Sequence, residues 1–117
     1  MIPLNELAQL IHRGNVERGF YDQPRELGTL LMLIVSELSE ALEADRTDKH
    51  VNIQTIPEYC NPAVFKEKIK DTFEDEIADT LIRLLDLVGY MGIDIDAHIQ
   101  AKLNYNKTRG YKHGKSY

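Results

Sequence analysis

Apolar positions recur along this chain at helical spacing. Behind Pro3, Leu4, Leu7, Leu10-Ile11 and Val16 follow an i, i+3, i+4 rule and predict a first helix up to Arg18-Gly19. Asp22 as a cap and Pro24 in a first turn predict the start of a second helix. Its stripe of Leu27, Leu30, Leu31, Ile34, Leu38 and Leu42 ends near Asp45. Residues 46–61 lose the period and read as a loop or insertion, with a short extended piece around 51–56. Asn61-Pro62 then joins a cap to a proline at the first helical position. From there Phe65, Ile69, Phe73, Ile77, Leu81, Leu84, Leu85 and Val88 are expected to face inward along a run to Met91, with a break near Asp71-Thr72. Gly92 stops that run. Asp94 starts a last helix whose inner face is expected to hold Ile95, Ile99 and Leu103. After Arg109 the pattern ends, and residues 110–117 are expected to form a mobile tail.

The expected architecture is therefore all-α: a four- to five-helix bundle forming a single domain over residues 1–117. A chain of 13.4 kDa with 43% apolar and 28% charged residues can bury one core. The one cysteine, Cys60, rules out an internal disulfide framework and a Cys-rich zinc site. The longest apolar run, Leu30 to Val35, is far short of the roughly 18 residues of a membrane span, so no membrane partner is expected. The first six residues show no signal-peptide pattern, which makes the cytoplasm the default location. The second helix carries Leu31, Met32, Leu33 and Val35 off any single stripe. A helix apolar on several sides seeks partners on each of them, so a homodimer or homotetramer is expected, with its site near the interface.

Charge is split along the chain. Residues 1–96 hold all 19 acids and nine of the 14 bases. Residues 97–117 hold no acid and five bases, Lys102, Lys107, Arg109, Lys112 and Lys115. An acidic body repels duplex nucleic acid but can gather divalent cations, while a basic end can gather phosphates.

Two acidic pairs give that division a chemical sense. Glu37 and Glu40 stand three apart on the second helix, as do Glu76 and Asp79 on the long third stretch. Such spacing puts each pair on one side of its helix, one turn apart. Leu38 and Ala41 flank the first pair, and Ile77 and Ala78 the second, so both border an apolar stripe. Antiparallel packing of the two helices would bring four carboxylates together. Repulsion among them would then have to be relieved by protonation or by a cation. An oxygen-only donor set suits Mg²⁺, with Mn²⁺ as the alternative, and not zinc. Two solvated acidic faces would show the same spacing. A ferritin-like di-iron site needs Glu three residues before His, and none of His12, His50, His98 or His113 has one. None of these histidines is assigned a role.

The ordered set of motifs resembles the MazG-like, all-α nucleoside triphosphate pyrophosphohydrolases, with the related dCTP pyrophosphatases and dimeric dUTPases. The resemblance rests on Glu37-x-x-Glu40 followed by Glu76-x-x-Asp79, on Gln23-Pro24-Arg25-Glu26-Leu27 ahead of the first pair, on Gly92-Ile93-Asp94, and on Lys102-Leu103-Asn104-Tyr105-Asn106-Lys107-Thr108-Arg109. It covers roughly residues 20–45 and 73–112. What it implies is cleavage of a nucleoside triphosphate between the α and β phosphates, yielding a monophosphate and pyrophosphate. Glu37, Glu40, Glu76 and Asp79 would hold Mg²⁺, and Glu37 or Glu40 would take the proton of the attacking water. Lys102, Asn106 and Arg109 would bind substrate. A helical module that binds nucleotide or metal with little or no turnover is the alternative. The chain departs from the family in two respects. The 35 residues between Glu40 and Glu76 form a longer spacer than usual. The first helix also lacks a tryptophan often seen there, which leaves His12, Phe20 and Tyr21 as base-side candidates beside ordinary packing roles.

Overall fold

The computed structural model describes residues 2–53, 56–57 and 60–117. Five α-helices are described: α1 (Leu4–Glu17), α2 (Leu27–Arg46), α3 (Pro62–Lys68), α4 (Phe73–Met91) and α5 (Ile95–Asn106), followed by a 3-10 turn at Tyr111–Gly114. No strand occurs among the described residues. The extended piece expected around 51–56 is not a strand at 51–53 or at Ile56, and Gln54 and Thr55 lie outside the described residues.

Local chemistry sets most helix ends. Asn61 accepts from the Ala63 amide and Pro62 occupies the first position of α3. The expected break falls where Asp71 turns left-handed at φ 66° and Thr72 caps α4 through the Asp75 amide. Gly92 ends α4 at φ 66°, a conformation that costs glycine nothing. Asp94 caps α5 through the Ala97 amide. The start of α2 differs from expectation. Asp22 lies in a turn, Pro24 precedes the helix, and Glu26, in extended conformation, stands at its N-cap position. A proline disfavours helix in its predecessor, Gln23, and the helix begins only after the extended Glu26.

α4 is the central element. α2 runs antiparallel along one side of it, with Leu30, Ile34 and Leu87 forming the apolar core at one end and Ala44 near Asp71 at the other. α1 lies on another side of α4, where Ala8 is almost fully buried. α5 folds back on the start of α1. There Asp96 accepts from the Leu4 and Asn5 amides, and the Asn5 side chain accepts from the Ile95 and Asp96 amides and donates to Asp94. The two helix starts thus cap each other.

Burial departs from the expected stripes. On α2 the buried positions are Leu30, Ile34, Glu37, Ala41 and Ala44, whereas Leu27, Leu31, Leu38 and Leu42 are exposed. On α4, Leu87, Val88 and Gly89 are buried with Glu76 and Asp86, while Leu81 and Leu84 face outward. Ile99 and Leu103 of α5 are exposed as well. The buried face of α2 thus runs from Leu30 and Ile34 through Glu37 to the small residues Ala41 and Ala44, and the other aliphatic side chains stand beside it.

Candidate active site

α2 and α4 meet at a cluster of acids. Glu37, Glu76 and Asp79 can each offer one oxygen such that all three lie within 4.8 Å of one another. Glu37 and Glu76 are buried, and Asp79 is less so. The expected fourth member, Glu40, is exposed one turn along α2 and stands outside that trio. It remains close enough to Glu37 and Glu76 for their proton affinities to depend on one another. Two recesses flank the cluster. One, of about 230 Å³, is lined by Asn15, Phe20, Arg25, Leu30, Glu37, Asp79, Ile82, Arg83 and Asp86. The other, of about 310 Å³, includes Glu40, Glu43, Thr47, Lys49, Asp71 and Glu76.

Electrostatics follow from crowding acids at a partly dry interface. Burial, then hydrogen bonding to Glu37 and the charge of Glu40, push the Glu76 carboxyl up to about 7. Glu40 is raised by its hydrogen bond to Glu37 and by that residue's charge. Asp79 is raised by burial and by the charges of Asp75 and Glu37. Glu37 moves the other way. Burial pushes it up, but hydrogen bonds from Arg83, Glu40 and Glu76 carry it below the ordinary glutamate value. Arg83 donates its Nε to Glu37 Oε1 at 2.8 Å. Glu76 Oε2 is buried and has no hydrogen-bond partner. A buried orphan oxygen carries a substantial desolvation cost. Together with oxygen-only neighbours, it fits a divalent cation such as Mg²⁺. Asp71 and Asp75 also approach Glu76, but they serve the helix start: Asp75 Oδ2 accepts from the Asp71 amide and Asp71 pairs with Lys70.

Arg83 and Asp86, which the sequence pattern passed over, shape the first recess together with Arg25. Arg83 and Asp86 interrupt the apolar run of α4, and Arg25 lies over the Tyr21 ring at 5.6 Å. His12 is turned inward. Its Nδ1 lies 3.0 Å from Asp86 Oδ1, and the Tyr21 hydroxyl donates to Asp86 Oδ2. The rings of His12, Tyr21 and Tyr90 pack edge-on and tilted around this contact. Phe20 lines the recess, while His12 and Tyr21 form its polar support. An acid set within Leu84-Leu85-Asp86-Leu87-Val88 was the available signal for a buried polar network.

The α5 candidates gather elsewhere. Lys102 and Arg109 lie over the Tyr105 ring at 5.3 and 5.6 Å, and Asn106 Oδ1 is buried without a partner. Among the described residues no hydrogen bond or ion pair joins Lys102, Asn106 or Arg109 to the carboxylates. His50 clips the start of the long loop, with Nε2 2.9 Å from Asp45 and Nδ1 3.1 Å from Glu74; the Asp45 contact raises its proton affinity above that of a free histidine.

No protein-family model matches the chain, and no curated protein or solved structure matches it either. No described helix is long and apolar enough to cross a membrane.

Proposed function

We propose that this chain is a Mg²⁺-dependent nucleoside triphosphate pyrophosphohydrolase of the MazG-like type, cutting between the α and β phosphates to release a nucleoside monophosphate and pyrophosphate. The supporting observation is the Glu37–Glu76–Asp79 cluster, with oxygens within 4.8 Å and one buried oxygen of Glu76 left without a partner. Mg²⁺, or Mn²⁺ in its place, would screen the polyphosphate charge and polarise the scissile phosphate. Glu37, kept ionised beside Arg83, and Glu76 and Asp79 supply the ligand oxygens. Glu40 is exposed at the rim and has a raised proton affinity, which suits it to take the proton of the attacking water. The water oxygen bonds to the α phosphorus, and pyrophosphate leaves with the electrons of the broken bond. Lys102, Asn106 and Arg109 enter as substrate ligands through the family resemblance alone.

The same reading takes the working unit to be a homodimer or homotetramer in the cytoplasm. The chain has a radius of gyration of 17.0 Å, against about 13 Å for a compact domain of this length. Its accessible surface is 9159 Å², against about 6,500 Å² for a folded monomer of this mass. An obligate interface hides surface on the scale of that excess, roughly 1,000–2,500 Å² per subunit. Leu31, Val35, Leu38 and Leu42 form an exposed stripe on α2, next to the face that meets α4, and a second copy of the chain would cover it.

The test is a panel of nucleoside triphosphates incubated with Mg²⁺ and scored for monophosphate and pyrophosphate. Glu40→Gln and Asp79→Asn should abolish release while remaining helical by circular dichroism. Full activity in either variant would end the assignment, and nucleotide binding without product would favour a non-catalytic module.

A further inference from the structure

The cavity beside the carboxylates holds a cation of its own. Glu76, Asp79 and Arg83 follow one another at spacings of three and four on α4, so they share a face. Arg83 is tied to Glu37 through Nε alone, at 2.8 Å, and its half-exposed side chain lines the 230 Å³ recess. Among the described residues its two terminal nitrogens have no protein acceptor. The guanidinium is therefore anchored at one edge while its other N–H groups remain unused. Such a fork matches two oxygens of a phosphate, and the anchor has already reduced the entropy that ordering a free arginine would cost. The basic side chains expected to meet phosphate, Lys102 and Arg109, are by contrast engaged with Tyr105.

We infer that Arg83 binds the polyphosphate of the substrate and of the departing pyrophosphate, gripping non-bridging phosphate oxygens with its terminal N–H groups while Glu37 holds its Nε. This inference rests on the carboxylate cluster being a Mg²⁺ site, since a polyphosphate would otherwise meet a net negative surface beside Arg83. A cation held by Glu37, Glu76 and Asp79 would supply positive charge beside the guanidinium, which stands one turn farther along α4.

Calorimetric titrations of wild type, Arg83→Gln and Arg83→Lys test it, first with Mg²⁺ alone and then with pyrophosphate in saturating Mg²⁺. Arg83→Gln should weaken pyrophosphate binding by about 10- to 100-fold, the worth of charge-assisted hydrogen bonds, and leave Mg²⁺ affinity unchanged or tighter. Arg83→Lys keeps the charge without the fork and should fall between the two. If Arg83→Gln binds Mg²⁺ and then binds pyrophosphate as tightly as wild type does, Arg83 merely neutralises the cluster and the inference is wrong. Absence of Mg²⁺ binding by wild type overturns the metal-site reading, and this inference with it.

Discussion

Gly89 and Ala8 set the separation of α1 and α4: a Cβ built on Gly89 would stand 2.7 Å from the Ala8 carbonyl oxygen and 2.8 Å from the His12 Cβ. Backbone cannot yield as a flexible side chain does, so Gly89→Ala has to push the two helices apart. Overpacking of this kind costs about 1–3 kcal/mol, more than the few tenths to 1 kcal/mol that alanine would gain in helix propensity. Chemical denaturation of Gly89→Ala should show a lower midpoint, with the slope preserved. A variant as stable as wild type would mean that α1 does not pack this closely.

The same interface depends on Asp86, which is buried and is shared by His12 and Tyr21. Asp86→Ala strands two polar groups and should cost about 2–4 kcal/mol. Asp86→Asn keeps the shape and removes the charge, which separates packing from electrostatics. Burial first, and Asp86 second, raise the Tyr21 phenol above its ordinary value. Ultraviolet titration of Asp86→Asn should therefore find Tyr21 ionising at lower pH than in wild type, though still above a free tyrosine. An unchanged titration would place Asp86 away from the phenol.

Where helices begin and end was legible wherever the cause is local. Asn61-Pro62, Thr72, Gly92 and Asp94 act on their own backbone neighbours and need no tertiary partner. The beginning of α2 was misplaced because Asp22 and Pro24 serve the preceding turn equally well. The acidic pairs were legible from spacing, and three of their four members converge. Which face of α2 is inward was not legible. Leu30-Ile34 and Leu31-Val35-Leu38 are stripes one residue apart, and only the register with α4 decides between them. Arg83 and Asp86 escaped notice for a related reason. A charged residue within a helix reads as a solvated one until its partner, contributed by another helix, is known.

That exposed stripe yields a test of assembly. Val35 and Leu38 are about half exposed on the side of α2 adjoining the α4 contact. Val35→Glu combined with Leu38→Glu places two charges on the stripe and leaves the buried face intact. Light scattering should show wild type as a dimer or larger at micromolar concentration and the double variant as a monomer of similar helicity. Burying either charge unpaired would cost several kcal/mol, enough to dissolve an ordinary interface. A wild-type chain that is already monomeric would remove the second copy from the proposal.

Glu76 gives the molecule a pH signature. Its carboxyl is raised from an ordinary 4.5 to about 7 in the folded chain, chiefly by burial and then by its acidic neighbours. Below pH 4.5 the folded and unfolded chains both hold this proton. Between there and about 7 only the folded chain keeps it, so its stabilising effect fades as pH rises through that window. Glu40 and Asp79 are raised too and act in the same direction, whereas the lowered Glu37 favours the folded state at higher pH. In metal-free buffer the melting temperature should therefore decline from pH 5 toward neutrality. Glu76→Gln is uncharged at every pH and should flatten that decline. Mg²⁺ at 100 times its dissociation constant should restore about 2.7 kcal/mol to wild type near neutrality, and far less to Glu76→Gln, which lacks the ligand charge. An equally steep metal-free decline in Glu76→Gln would show that another group carries the proton.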